Sequence, residues 1–219
     1  MAAPSHYRLK ARLETKLRAW YDLADVRQRA LGLQWYPDAR AFAQLVSATY
    51  NVPLVRVCGV IAALSPAVYW ELNKSQAESL IRAHADGEDL DDVVLSTYGA
   101  QARKARAILQ APGEIESDWV ANILGLQAWK TRAFFRNILD PASVSVTVDR
   151  HIVSACGVAD RFTGNTAVWL YRVVAEALSQ VARDLGLQPC ALQATVWITY
   201  KETAEAYSHA EGPRPAAPF

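Results

Sequence analysis

The chain reads Trp129-Lys130-Thr131-Arg132-Ala133-Phe134-Phe135 and then, after a loop, Val146-Thr147-Val148-Asp149-Arg150-His151-Ile152. The first stretch predicts a helix that carries Lys130, and the second predicts another helix that begins at about Asp149. A carboxylate at the start of a helix is stabilised by the helix dipole and by the first backbone N–H groups, which have no partner within the helix. From these residues alone, Asp149 is predicted to be a helix cap.

The rest of the chain also shows helical spacing of its apolar residues, and it lacks the alternation that is typical of strands. Outside the two quoted stretches, helices are predicted over 5–30, 37–50, 55–64, 71–83, 102–109, 119–124, 166–185 and 189–206, with a short helix or turn at 91–98. Pro37-Asp38 is expected to open the second of these helices. The expected fold class is all-α.

The composition is typical of a globular chain that buries a core. Of its 219 residues, 52% are apolar and 21% are charged, which favours a sizeable core and excludes global disorder. The formal net charge is only +1, whereas a strongly basic chain is typical of nucleic-acid binding. Any binding of DNA is therefore expected to come from a local basic patch.

The cysteines and the N-terminal segment indicate a reducing compartment. Cys58, Cys156 and Cys190 are far apart and form no Cys-x-x-Cys pair, so we expect buried thiols and no metal site. Residues 6–10 are polar, unlike a signal peptide, and no apolar run is long enough to span a membrane. We expect a cytoplasmic monomer with no cofactor and no membrane partner.

The quoted stretches resemble two motifs of the helix-hairpin-helix DNA glycosylases, the family of endonuclease III and the 8-oxoguanine glycosylases. That family has a hairpin of the form LPGVGxK(T/V)A, followed by a VD-x-H motif whose aspartate is catalytic. Lys130-Thr131 and Val148-Asp149-Arg150-His151 fall on these motifs at the family's spacing. Further similar pieces follow the family's order: Ile61-Ala62-Ala63-Leu64-Ser65 with Asn73-Lys74, Tyr98-Gly99 with Lys104-Ala105, and Ala194-Thr195-Val196-Trp197-Ile198.

The chain departs from the family's pattern in the hairpin and near its C-terminus. Leu126-Gln127-Ala128 stands where the family has Gly-Val-Gly, with Gly125 just before it. Such glycines let backbone N–H groups approach a phosphate closely. No cysteine follows Cys190, so the family's four-cysteine iron–sulfur motif is missing. The resemblance therefore implies a divergent member without an iron–sulfur cluster.

The resemblance also implies a domain organisation. One domain is expected over residues 1–210, made of two helical lobes with a substrate cleft between them. The first lobe is expected at about 41–143, and the second at about 5–40 together with 144–207. The residues that follow, 211–219, are rich in Pro and are expected to form a disordered tail.

The activity that the resemblance implies is cleavage of the N-glycosidic bond of a modified or damaged base in DNA. The transition state has oxocarbenium character at C1′, so a carboxylate at Asp149 would stabilise it and could deprotonate the incoming nucleophile. A lysine at the position of Lys130 attacks C1′ in this family and adds strand-cleaving lyase activity. Such a lysine must be neutral to attack. The alternative for Lys130 is a surface lysine that binds a phosphate.

Base excision requires the target base to leave the duplex. Tyr69 and Trp70 are expected to fill the gap or stack on the base, while Asn73 and Trp129 are expected to line the pocket. The expected DNA-contacting residues are Arg103, Lys104, Arg106, Gln127, Arg132, Arg150 and His151. Each set has a structural alternative: core packing for the aromatic residues, a solvated helix face for the cations, and a structural hydrogen bond for the histidine. The other tryptophans, Trp35, Trp119, Trp169 and Trp197, are expected in the core.

Two other functions remain open at this point. Some phage-associated relatives with this fold are proposed to modify thymine bases, and the altered hairpin fits a divergent member of that kind, for which a phage-encoded origin is natural. The third possibility is a non-catalytic helical DNA-binding module, against which the presence of both Lys130 and Asp149 argues. In all three cases the expected partner is DNA, duplex or single-stranded, and the expected location is the cytoplasm at the nucleoid.

Overall fold

The structure of the protein, a computed structural model, describes residues 4–114, 116–164 and 166–210, with side chains described between 6 and 206. The described residues form α-helices and two short 3-10 helices, and no strand occurs among them. The α-helices are α1 (Pro4–Leu23), α2 (Val26–Tyr50), α3 (Leu54–Leu64), α4 (Trp70–Asp86), α5 (Gly99–Gln110), α6 (Ser117–Leu124), α7 (Trp129–Leu139), α8 (Arg150–Ala155), α9 (Thr166–Leu185) and α10 (Pro189–Ala210). The all-α prediction is confirmed.

The boundary between the first two helices differs from the prediction. The apolar pattern placed one helix over 5–30 and opened the next at Pro37, whereas α2 begins at Val26 and runs through Pro37. The break comes from a reciprocal cap: the Asp25 carboxylate accepts from the Gln28 N–H at 2.6 Å, and the Gln28 side chain accepts from the Asp25 N–H at 2.9 Å. Such a capping box starts a new helix. The segment 91–98 forms a 3-10 turn at Leu90–Asp92 and then a loop.

The chain divides into two compact units. Unit 1 comprises Met1–Trp35 and Val148–Phe219, and unit 2 comprises Tyr36–Thr147. One boundary lies within α2 and the other directly precedes Val148, whereas the predicted lobe boundaries lie at about 40 and 143. The predicted tail, 211–219, lies outside the described residues.

Unit 1 is built on packing among α1, α8, α9 and α10. Leu9, Leu13 and Leu17 form the buried face of α1, and their spacing is that of one side of a helix. The start of α2 lies directly against α10, because a Cβ at Gly32 would fall within 2.0 Å of the Thr195 hydroxyl oxygen. Glycine at position 32 therefore permits this close approach.

Unit 2 is built around α3, which packs against α4, α5, α6 and α7. Every α3 residue from Arg56 to Leu64 is buried, as its apolar, small-residue composition predicts. Gly59 allows the closest of these contacts, since a Cβ there would lie 2.6 Å from a methyl group of Val120.

The buried Arg56 guanidinium holds the C-terminal end of α5. It donates to the carbonyls of Ile108 and Leu109 at 2.8 Å each, and also to those of Ala111 at 2.8 Å and Gly113 at 2.5 Å. The last carbonyls of a helix have no partner within the helix and carry the negative end of its dipole. Four carbonyl oxygens therefore stabilise a buried cation.

The three cysteines are buried thiols, as predicted. Burial raises the pKa of Cys58 and of Cys156 to about 12. No helix among the described residues is long and apolar enough to cross a membrane. No cluster of His, Cys, Asp and Glu in the same part of the chain could hold a metal ion.

We predict that Arg56→Leu destabilises the protein by about 3 kcal/mol or more, because it leaves several buried carbonyls without a donor. The matched control is Arg103→Leu on α5, where the arginine is exposed and the expected change is within about 0.5 kcal/mol. Denaturant unfolding of both variants measures the difference. Equal losses would contradict the assigned role of Arg56.

We predict that native Cys58 and Cys156 resist a thiolate-specific disulfide reagent at pH 8, because their raised pKa keeps them protonated, and that Cys190 resists it because it is buried. The raised pKa also makes stability depend on pH. In the folded protein Cys58 and Cys156 stay protonated above the unfolded thiol pKa of about 8.5, so the free energy of unfolding falls as the pH rises from about 8.5 towards 12. Labelling should reach three thiols only after unfolding. Rapid labelling of the native chain would show that the thiols are accessible.

Candidate functional site

The Asp149 carboxylate lies at the start of α8 in unit 1. One of its oxygens, Oδ1, accepts from the Ile152 backbone N–H at 2.9 Å, so Asp149 is the N-cap of this helix, as predicted. The preceding residue, Val148, is buried and donates its backbone N–H to the Tyr171 hydroxyl at 3.4 Å. Asp149 as a whole is half-buried.

The other carboxylate oxygen, Oδ2, accepts from the Trp197 indole Nε1–H at 3.0 Å. Trp197 lies on α10 and was expected in the core, but it is half-buried and bonds the candidate catalytic residue. Because each oxygen has its own donor, the plane of the Asp149 carboxylate is fixed by two hydrogen bonds. No pattern in the sequence signals the second one, since the two residues are 48 positions apart.

The far end of α8 is held by α1. The Trp20 indole donates to the Ala155 carbonyl at 3.0 Å, and the Lys16 ammonium donates to the Cys156 carbonyl at 3.0 Å. A helix of six residues is marginal in water on its own. Contacts at both ends therefore keep α8, and with it Asp149, in place.

Cationic and aromatic side chains surround the indole. The Lys201 ammonium lies 4.5 Å from the centre of the Trp197 ring, in cation–π geometry. His151 meets the same ring edge-on at 6.1 Å and lies 6.4 Å from the Tyr200 ring. Its Nε2 is 3.4 Å from the Nε of Arg150, which is exposed. His151 thus has local contacts in unit 1, in line with the structural alternative, and its contact with DNA stays a prediction.

Tyr171 adds a neutral hydroxyl close to Asp149. Burial raises the pKa of Tyr171 to about 12; the Val148 N–H bond lowers it and the negative charge of Asp149 raises it. The phenol is therefore uncharged at neutral pH and acts here as the acceptor that holds the backbone just before Asp149.

Lys130 lies in unit 2, in the first turn of α7. It is half-buried, as is its neighbour Trp129. The turn between α6 and α7 closes through the Ala128 N–H, which donates to the Gly125 carbonyl at 3.0 Å. Gly125 has φ +107°, a backbone conformation that favours glycine. The turn thus has one glycine, whereas the hairpin motif of the helix-hairpin-helix glycosylases has two.

Two cations from the predicted DNA-binding set bind carbonyls of this same turn. Lys104 donates to the Leu124 carbonyl at 2.6 Å, and Arg132 donates to the Leu126 carbonyl at 3.2 Å. Gln127, at the tip of the turn, is exposed. The turn is therefore stabilised by side-chain donors of its own unit.

Arg106 has partners within its own unit. Its guanidinium donates to the carbonyls of Leu90 at 2.8 Å and Val93 at 3.3 Å, and it pairs with the Asp91 carboxylate at 3.0 Å. These contacts tie the 3-10 turn to α5, and the contact of Arg106 with DNA stays a prediction. Arg103, by contrast, is exposed on the same helix.

The predicted gap-filling residues lie in different surroundings. Tyr69 is 70% exposed at the start of α4, after a turn in which Ala67 adopts φ +66°, a conformation rare for residues other than glycine. Trp70 is half-buried, with ring centres 6.4 Å from those of Phe42 and Phe134. Trp70 therefore belongs to an aromatic cluster, and Tyr69 alone of the two projects into solvent.

Asn73 is buried, with 1% of its surface exposed, which excludes the helix-surface interpretation. Its Nδ2 donates to the Ile61 carbonyl at 3.1 Å. The Ile61 carbonyl lies near the end of α3. In a regular helix it would accept from the Ser65 N–H, but that N–H donates to the Ala62 carbonyl instead. Among the described residues, no group bonds the Asn73 Oδ1.

The structure thus brings Asp149 and His151 together with residues that sequence reasoning did not choose. These are Trp197, Tyr171 and Lys201, all in unit 1. The predicted residues Tyr69, Trp70, Asn73, Arg103, Lys104, Arg106, Gln127, Trp129, Lys130 and Arg132 all lie in unit 2. The core prediction for the other tryptophans is wrong for Trp119 and Trp169, which are 40% and 39% exposed.

Comparison with known proteins gives one match. The model of a family of unknown function, DUF7178, matches residues 3–204. No curated protein and no solved structure matches the chain. The comparisons therefore assign no activity, and the site has to be interpreted from its own chemistry.

We predict that Asp149→Asn destabilises the protein by about 1 kcal/mol, because its one amide oxygen can still cap α8 while its NH2 group cannot accept from the Trp197 indole. Asp149→Ala should cost about 2–3 kcal/mol, because the cap and the bond to the indole are both lost. Thermal unfolding of the two variants beside the wild type measures the difference. Equal losses in the two variants would show that the cap contributes little to the stability of α8.

Proposed function

The chain belongs to this family of unknown function, and we propose that it is a DNA glycosylase with Asp149 at its reaction centre. The observation that carries the proposal is the carboxylate of the half-buried Asp149, which is held by two neutral donors at 2.9 and 3.0 Å. The resemblance to the helix-hairpin-helix glycosylases, with their two lobes and substrate cleft, supplies the reaction class. The all-helical fold is compatible with it.

In the proposed reaction the bond between C1′ of the sugar and the base nitrogen breaks, and its electron pair leaves with the base. Positive charge then develops at C1′, and the Asp149 carboxylate stabilises it electrostatically. A water molecule adds to C1′ and gives its proton to the carboxylate. The base, flipped out of the helix, is the leaving group.

The charge of Asp149 is available for this purpose. None of the ion pairs among the described residues includes it, and its two donors are a backbone amide and an indole, which orient the carboxylate without a full positive charge. A carboxylate has about four lone-pair positions, so two occupied ones leave room for a substrate. A purely structural cap would need the first hydrogen bond only.

Lys130 is proposed to act as the nucleophile of an associated lyase reaction. In this reaction its amine nitrogen would attack C1′ in place of water and expel the base, with the electron pair of the C1′–base bond leaving on the base. The C1′–O4′ bond of the sugar then opens to give a Schiff base, and elimination of the 3′-phosphate cleaves the strand. The attack requires the neutral amine. Its half-buried position in the first turn of α7 supports the same assignment.

The second candidate function is modification of a thymine-type base by an enzyme of the same fold. The turn between α6 and α7 favours it, because Lys104 and Arg132 already bind the carbonyls there and the turn lacks the glycines of a standard phosphate clamp. A non-catalytic DNA-binding module is the third candidate.

The deciding experiment is base release from oligonucleotides that carry uracil, 8-oxoguanine, alkylated bases or 5-substituted pyrimidines, with mass spectrometry of bases and strands. We expect a freed base from the wild type and a loss of about a hundredfold or more in Asp149→Asn, because electrostatic stabilisation of the transition state is lost. The matched control is Asp160→Asn, an exposed aspartate of unit 1, which should keep full activity.

Borohydride in parallel tests Lys130. A trapped covalent adduct in the wild type that is missing in Lys130→Gln would support the lyase step. A changed mass on a thymine-type base without base release would favour the second candidate. An Asp149→Asn protein that is as active as the wild type would remove Asp149 from the reaction centre.

A further inference from the structure

Trp197, which lies outside the predicted site, donates its indole N–H to the Asp149 carboxylate. We propose that Trp197 is a positioning residue, whose indole N–H holds the Asp149 carboxylate in the orientation that the reaction uses. The catalytic part of this inference rests on the proposed function. The hydrogen bond and its effect on the carboxylate stand apart from it.

Two hydrogen bonds limit the rotation of the Asp149 carboxylate. The terminal torsion of an aspartate is broad, so a single hydrogen bond leaves the carboxylate able to turn. The Ile152 N–H fixes Oδ1 at 2.9 Å, and the Trp197 N–H fixes Oδ2 at 3.0 Å. With two donors on different elements, α8 and α10, the carboxylate plane has one orientation.

The donor in the second hydrogen bond is the Trp197 indole N–H. An indole N–H donates and never accepts, and it does not titrate in the usable pH range. It can stabilise the anionic carboxylate, but it cannot take up the proton that a general base receives. Trp197 therefore supports Asp149 without competing with it, unlike a histidine or a tyrosine in the same place.

The surroundings of the indole affect its strength as a donor. Trp197 is half-buried on α10. The Lys201 ammonium, one helical turn further on, lies 4.5 Å from the ring centre, and the His151 ring meets its edge at 6.1 Å. A cation over the ring face draws electron density from the indole, which makes its N–H a better donor. Lys201 is thus expected to strengthen the bond to Asp149.

The first arm of the test needs no substrate. In protein labelled with nitrogen-15 at tryptophan, the indole N–H signal of Trp197 is assigned by its loss in Trp197→Phe. We expect this signal at low field in the wild type and an upfield shift in Asp149→Asn, because the neutral amide has one acceptor oxygen only and the Ile152 N–H uses it. Lys201→Met should move it in the same direction. The Trp119 signal, from the other unit, is the control and should not move.

The second arm measures turnover on whichever oligonucleotide is cleaved. Trp197→Phe should lower kcat by about 10- to 100-fold with little change in KM, since a charge-assisted hydrogen bond to the reacting carboxylate is lost. Replacement of Trp197 by 3-benzothienylalanine, which keeps the shape without the N–H, should do the same. Replacement by 5-fluorotryptophan, which keeps the N–H, should restore kcat. The isostere guards against a phenylalanine variant that fails to fold.

The two arms separate the two claims. An indole N–H chemical shift of Trp197 that is the same in Asp149→Asn as in the wild type would overturn the inference. An unchanged kcat in the benzothienylalanine protein would overturn it as well. A signal that shifts as expected, in a protein that releases no base, would uphold the hydrogen-bonded pair and count against the glycosylase instead.

Discussion

The hydrogen-bonded Asp149 carboxylate is the interaction on which the candidate site depends. One oxygen starts α8 and the other ties that start to α10, while Trp20 and Lys16 of α1 hold the far end of the same short helix. A six-residue helix gains too few hydrogen bonds of its own to be stable. The position of α8 is therefore set by α1 and α10, and these contacts also fix the position of the Asp149 carboxylate that caps it. Capping and catalysis are compatible here, because the cap uses one oxygen only.

Several cationic side chains of unit 2 bind backbone carbonyls. Arg56, Lys104, Arg106 and Arg132 each donate to backbone carbonyls at helix ends or in turns. Carbonyls in such places lack helical partners, and long cationic side chains reach them easily. Cations used in this way contribute to stability and are less available to phosphate. With a net charge of +1, DNA binding by this chain would depend on the cations that remain exposed, such as Arg103 and Arg150.

Some local features could be predicted from sequence, and their limits are instructive. Apolar spacing located most helices, because a buried helix face repeats every three to four residues whatever lies opposite. It missed the start of α2, where the reciprocal cap of Asp25 and Gln28 outweighs the apolar pattern. It also placed a helix start at Pro37, whereas α2 runs through this residue. For Asn73 the residue type alone left burial and exposure equally open.

The sequence by itself determined the all-helical class, the buried thiols and Asp149 as a helix cap, because each follows from residues that are neighbours along the chain. Only the tertiary structure decided the second donor to Asp149, the four carbonyls around Arg56 and the anchoring role of Arg106. The partners of these groups lie between 13 and 57 residues away. Local periodicity carries no information about such pairs, since they exist only once helices that are distant in the chain pack side by side.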